Sequence, residues 1–188
     1  ISMTEQQIIQ AILSGDHSKF EWLVEKYQAM VFRTAMGFVH NKEDAEDLTQ
    51  DVFIRVFQAF KTFNGDAEFS TWLYRITVNT SINHLNKIKN KGLLHFAEDI
   101  FQQLFNKASE DQNPQQQLEQ TERDKAIRKA IDALPEKQRT AFILSKYDDL
   151  TQKEIAAIMQ STEGSVEQLL QRAKSRLQKK LSPIVGKK

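Results

Sequence analysis

The 188-residue chain is predicted to be all-α, with two small helical domains joined by a flexible linker. Three observations predict this. Apolar residues recur at helical spacing along most of the chain, with few alternating β-branched runs. Helix breakers are scarce, at six Gly and three Pro. The helical pattern degrades in one polar, Pro-bearing stretch, Asp111-Gln112-Asn113-Pro114-Gln115-Gln116-Gln117, which reads as a tether. With 40% hydrophobic residues the chain can bury one medium core or two small ones. The domains are expected at residues 3–92 and 123–188, with the linker at 93–122. Ile1 and Ser2 precede Met3, where the natural start is expected.

Ile8, Ile9, Ile12 and Leu13 predict a short amphipathic helix that stops at Gly15-Asp16. A second helix carries Phe20, Leu23, Val24, Tyr27, Val31, Ala35 and Phe38 on its inward face. Asn41 caps a third, with Glu43 and Asp44 in the first turn, where the helix dipole favours acidic groups. Its core stripe is Ala45, Leu48, Val52, Phe53, Val56 and Phe60. On its other face Asp47, Gln50, Asp51, Ile54 and Gln58 form an acidic row interrupted by an apolar residue. Such a row is either an interface or plain solvated surface.

After the Phe63-Asn64-Gly65-Asp66 turn, a long helix begins near Phe69 and runs to Lys91. Trp72, Leu73 and Ile76 point to the core, while Arg75, Asn79, Asn83, Asn86 and Lys87 share a polar face. Asn is a mediocre helix former, so three on one face are odd as mere solubilisers. Amides and an Arg beside Phe63, Phe69, Trp72 and Tyr74, with Lys87, Lys89 and Lys91 downstream, suit unstacked bases and a single-stranded backbone. The aromatics fit a helical core equally well. Within the linker, Leu93, Leu94, Phe96, Ile100, Phe101, Leu104 and Phe105 form an apolar island that could make a docking helix.

Helix resumes around Glu119 to Ala133, and Leu134-Pro135-Glu136 opens another with Pro at its first position and Phe142, Ile143 and Leu144 as core. Thr151 with Glu154 is a capping box that starts the next helix, and Thr162 caps the last. Small Ala156 leaves room for these two to cross, with Ile155, Met159, Val166 and Leu170 filling the angle. This is the layout of a helix-turn-helix.

Net charge is only +1, but residues 135–188 hold 11 basic against 6 acidic groups. From Ser165 onward the excess is seven Lys or Arg against Glu167 alone, for which phosphate is the natural counter-charge. A solvated amphipathic helix with a basic tail would look the same. By position in a helix-turn-helix, Glu163, Ser165, Glu167, Gln168 and Arg172 are the candidate base readers, and Lys174, Arg176 and Lys179 the candidate phosphate contacts. Arg172 could instead pair with Glu163 or Glu167.

The chain has no Cys, which rules out disulfides and thiolate metal sites. His17, His40, His84 and His95 lack metal-ligand spacing, and there is no Gly-rich phosphate loop or nucleophile motif. No catalytic residue, metal or cofactor is expected, and the chain is not expected to be an enzyme. No signal peptide or membrane-spanning run is evident, so a cytoplasmic protein without membrane insertion is expected.

Over almost its whole length the sequence resembles the extracytoplasmic-function (ECF) sigma factors, small promoter-recognition subunits of bacterial RNA polymerase. Asp44-Ala45-Glu46-Asp47-Leu48-Thr49-Gln50-Asp51-Val52-Phe53 is similar to their second-region signature. Phe69 through Asn79 is similar to the segment that melts and reads the minus-ten element, and Leu134-Pro135 through Leu181 to the fourth region, which reads the minus-thirty-five element. The resemblance implies that Asp44, Asp47, Gln50, Asp51 and Ile54 dock on the clamp helices of the largest polymerase subunit. It implies minus-ten contacts by Phe63, Arg75, Asn79, Asn83 and Lys87, with the loop Lys61–Phe69 and Asn79 holding flipped-out bases. It also implies three partners: RNA polymerase core, promoter DNA and an anti-sigma factor. The sequence departs from the family where Glu167 and Leu169 replace frequent basic residues and Gln160 replaces the usual turn Gly. The alternative is a helix-turn-helix regulator whose N-terminal domain senses a ligand or dimerises.

Overall fold

The computed structural model of the chain describes residues 3–103 and 118–185, with side chains over 3–90 and 122–183. Among the described residues there are eight α-helices and no strand. They are α1 (Glu5–Leu13), α2 (Phe20–Val39), α3 (Lys42–Ala59), α4 (Phe69–Gln103), α5 (Leu118–Asp132), α6 (Glu136–Tyr147), α7 (Gln152–Met159) and α8 (Glu163–Val185). Helix enters the expected linker from both ends, as α4 runs on to Gln103 and α5 starts at Leu118. The remainder of the apolar island, Leu104 and Phe105, lies outside the described residues, as does the Asp111–Gln117 stretch.

Local chemistry explains where the N-terminal helices begin and end. Thr4 Oγ1 accepts from the Gln7 amide while Gln7 Oε1 accepts from the Thr4 amide, a reciprocal cap for α1. Gly15 follows at φ 104°, which a side chain would resist, and turns the chain into α2. Asn41 Oδ1 accepts from the Asp44 amide at 3.0 Å to start α3. The expected stripes then meet: Leu23 and Val31 of α2, Val52 and Val56 of α3, and Phe69 and Leu73 of α4 are all buried in one cluster. Each such side chain contributes about 1.5–3 kcal/mol when withdrawn from water. Aromatic rings close one end of it, with Phe63 at 5.6 Å from Phe69 and 5.2 Å from Trp72.

In the C-terminal domain, Ala130, Ile131 and Leu134 pack on Ala173 and Leu177 of α8. Pro135 sits one residue earlier than expected, at the N-cap of α6, where its fixed φ (here −54°) suits the extended turn and its missing amide costs nothing. Thr151 Oγ1 accepts from the Glu154 amide at 3.3 Å, and Glu154 Oε2 accepts from the Thr151 amide at 2.8 Å. Gln160 ends α7 in the left-handed region at φ 50°, and the Ser161 amide donates to Ala156 O at 2.9 Å. Thr162 Oγ1 then accepts from the Ser165 amide to open α8. The α7 and α8 helices are thus the expected helix-turn-helix.

The two domains share a core. Phe38, Tyr74 and Val78 from the N-terminal half lie in one buried cluster with Ile143, Leu144, Ile155 and Ile158 from the C-terminal half. Gly37 permits the approach: a Cβ there would stand 2.7 Å from Ile143 Cγ2 and 3.3 Å from the Tyr147 ring. Beside it, Asp148, whose side chain is fully buried, accepts from Arg33 Nε at 2.9 Å and Thr34 Oγ1 at 2.8 Å.

Loss of the α7 cap should register as stability alone. Thr151→Ala is expected to cost about 1 kcal/mol and to lower the Tm by about 2–4 °C with helix content unchanged, measured by thermal unfolding followed by circular dichroism.

Candidate nucleic-acid interface

Three exposed faces carry the residues singled out by sequence. On α3 the core stripe is complete, with Ala45, Leu48, Val52 and Val56 buried, so the opposite face must meet solvent or a partner. Asp47, Gln50, Asp51 and Ile54 are all exposed there and Asp44 is half-buried in the first turn. Ile54 is 54% exposed and Phe57, one turn on, 44%. Two large apolar side chains beside two carboxylates make an amphipathic patch rather than a uniformly solvated face.

The α4 face is more complex than its spacing suggests. Asn79, Asn83, Asn86 and Lys87 are exposed as expected. Arg75 is half-buried rather than fully exposed, and its Nη2 donates to the Ala157 carbonyl of α7 at 2.7 Å. Asn79 lies with Arg75, Val78 and Ile82 along one wall of a cleft of about 240 Å³, whose other wall includes Glu136, Lys137, Met159 and Gln160. The aromatics divide. Phe69 and Tyr74 are buried and cannot offer a face to a base, because packing within the core and against α6–α7 has claimed them. Burial raises the Tyr74 hydroxyl to about 12, so it stays a neutral hydroxyl. Phe63 and Trp72 are both half-buried, packed against the N-terminal core.

A second cleft, of about 290 Å³, lies between α3 and α4 and brings Asp51 of the acidic row together with Asn83 and Lys87 of the polar face. It also holds Arg55 and His84, which the sequence reading missed. The available signal was spacing: Arg55 lies one turn after Asp51, and His84 one turn after Thr80.

On α8 the inward stripe is Val166, Ala173 and Leu177, all buried. Glu163, Ser165, Glu167, Gln168, Arg172, Lys174, Arg176 and Lys179 are all exposed. Arg172 makes no ion pair among the described residues, whereas Glu167 accepts from Gln171 at 3.3 Å. Among the described residues no helix is long and apolar enough to cross a membrane.

Apart from Lys179, these faces fall within the spans matched by two family models: "Sigma-70 region 2" covers residues 23–91 and "Sigma-70, region 4" residues 124–177. The RNA polymerase sigma-H factor of Pseudomonas aeruginosa is 32% identical over 186 residues, covering 96% of this chain and 95% of that protein. The ECF RNA polymerase sigma-E factor of Escherichia coli is also 32% identical, over 97% of each chain. The chain belongs to the ECF sigma factors.

Like them it directs promoter-specific transcription initiation, working with RNA polymerase core on promoter DNA. The alternative of a regulator with a sensing or dimerisation domain is displaced, because the N-terminal half is itself a sigma region. The fold of this sigma factor is that of solved relatives. CnrH in complex with the cytosolic domain of CnrY superposes with a TM-score of 0.63 at 22% identity, over 94% of this chain and 96% of that one. RpoE in complex with the anti-sigma factor NepR from Bartonella quintana gives 0.57 at 22% identity, over 87% and 96%.

Proposed function

We propose that the sigma factor distributes initiation over its three faces: the α3 row docks on core polymerase, the α4 face captures the minus-ten strand, and the first turns of α8 read the minus-thirty-five element. The observation that carries this reading is the α3 helix, where Asp47, Gln50, Asp51 and Ile54 stand exposed opposite a complete core stripe. The boundaries follow the same division, with residues 3–92 and 123–188 as the working domains and 93–122 between them. The protein acts in the cytoplasm and without catalysis of its own, supplying position and base contacts to the polymerase. A further partner is an anti-sigma factor, the kind of protein with which RpoE was solved.

Unpairing bases costs a few kcal/mol each, which one small domain cannot supply alone, so α4 captures bases once polymerase has helped to open them. Asn79 and Asn83 offer amide donors and acceptors to a base edge, and Lys87 meets the backbone. On α8, Arg172 is placed for a guanine contact, while Lys174, Arg176 and Lys179 meet phosphate.

Three experiments test the assignment. Replacing Asp47 and Asp51 by Lys should leave the Tm nearly unchanged, since both are exposed, and weaken the binding of core polymerase; unchanged core affinity would remove the row from the interface. In holoenzyme, Asn79→Ala should impair opening of a duplex promoter more than use of a pre-opened bubble. Equal loss on both would make Asn79 a captor only, and no loss on either would take it out of the site. Arg172→Ala should cost roughly 1–3 kcal/mol on the matched minus-thirty-five duplex and relax preference at one base pair, whereas Lys179→Ala should weaken all sequences alike and lower the salt slope by about one. Titrations of matched and mismatched duplexes across a salt series decide this. A uniform loss for Arg172→Ala would contradict its role as a base reader.

A further inference from the structure

We infer that Glu167 and Gln171 of α8 form a cytosine reader, in which the Glu167 carboxylate accepts from the N4 amine of one cytosine in the minus-thirty-five element and Gln171 holds that carboxylate in place. The inference rests on the reading of α8 given above and adds the base that one of its residues selects.

At 3.6 residues per turn, positions four apart line up, so the first turns of α8 present two adjacent rows to the outside. One row carries Glu163, Glu167 and Gln171, the other Gln168 and Arg172. All five side chains are exposed. Val166 and Ala173, both buried, and half-buried Leu169 and Leu170 hold the helix to the domain core.

Nothing within the helix accounts for an acid at Glu167. Glu163 stands in the first turn of α8, where the helix dipole favours a carboxylate, but that field fades within one turn and Glu167 lies beyond it. The two glutamates are four apart, a spacing at which like charges destabilise a helix. The residues three and four positions on are Leu170 and Gln171, so no cation on the helix offsets the repulsion, and among the described residues Glu167 makes no ion pair. A Lys at this position would pair with Glu163 and add to the phosphate contacts. A carboxylate aimed at the duplex is instead repelled by its phosphates unless a donor meets it.

The major groove offers such a donor from two bases only. Cytosine presents its N4 amine there with no acceptor of its own beside it, whereas the adenine N6 amine stands next to N7, an acceptor that opposes a carboxylate. Guanine and thymine present acceptors and no donor, so Glu167 rejects them outright. Gln171 Nε2 donates to Glu167 Oε1 at 3.3 Å, which steadies the carboxylate and leaves Oε2 to accept from the base. Steadying the group before DNA arrives lowers the ordering cost of binding. Gln171 was not among the residues that spacing singled out, because its part is played through Glu167. It is a positioning residue.

The test uses holoenzyme and promoter duplexes taken from a promoter this factor directs, with each minus-thirty-five position replaced in turn by the other three base pairs. Wild type should bind about tenfold more weakly when one particular cytosine is replaced. Glu167→Ala should erase the preference at that position and at no other, and Glu167→Gln should move it to adenine, whose N6 and N7 match an amide. Gln171→Ala should reduce the preference at the same position and add nothing in a Glu167→Ala background. Both sites are exposed, so thermal unfolding should show the variants as stable as wild type. A uniform gain or no change across all sequences for Glu167→Ala overturns the cytosine reader, and a Gln171→Ala effect at a different base pair overturns the positioning role. If Glu167→Ala changes no preference while Arg172→Ala still relaxes one base pair, the reading of α8 stands and only the cytosine reader falls; if neither variant changes any preference, both fall.

Discussion

The approach of α2 to α6 governs what the rest of this molecule can present. A helix pair packs at its closest only where one member lacks a side chain, and Gly37 meets that condition opposite Ile143 and Tyr147. With the pair so close, Phe38 reaches the cluster built by α6 and α7, and Asp148 at the end of α6 is brought within hydrogen-bonding distance of Arg33 and Thr34. The same closeness places α7 against α4, which is why Arg75 finds a backbone carbonyl instead of solvent. A buried carboxylate is costly unless its oxygens are occupied, and here both Asp148 oxygens have donors. Geometry at one glycine thereby sets the state of a helix that is expected to handle DNA.

That helix, α4, serves two masters. Its inward residues Phe69 and Leu73 complete the N-terminal core, and its outward polar residues, at the intervening helical positions, are left to recognise something else. Building the recognition face on a helix already fixed by packing keeps its amides in register without further ordering on binding. The α3 and α8 helices follow the same plan, a complete inner stripe and a charged outer one. Their charges differ in sign, acidic on α3 and basic on later α8, which suits a protein partner for the first and nucleic acid for the second.

Much of this was legible in the sequence because it is local. The reciprocal caps at Thr151 and Glu154, the Asn41 cap and the core stripes of α2, α3 and α8 depend on residues three or four apart, and the structure places them as the spacing predicts. The exposed rows followed by subtraction. What spacing could not supply was long-range: Gly37 reads as an ordinary small residue until Ile143 is set against it, and Asp148 as a turn residue until Arg33 arrives. Tyr74 looked available to a base because a helical face is ambiguous by one position, and contact with the C-terminal domain decided it. Gln160 and His40 both end helices in the left-handed region at φ 50° and 56°, where glycine is the usual residue, so these two turns were legible from the caps that follow them, Thr162 and Asn41, and not from the residues that make them.

The central claim is that this chain converts core polymerase into a promoter-selective enzyme. Its most direct test is transcription of bacterial genomic DNA by purified core polymerase with and without the protein, with RNA 5′ ends mapped across the genome. The account predicts a discrete set of starts that appear only with the protein and share two sequence elements, near minus-ten and minus-thirty-five. Starts that are the same with and without it, or that share no upstream element, would contradict the account.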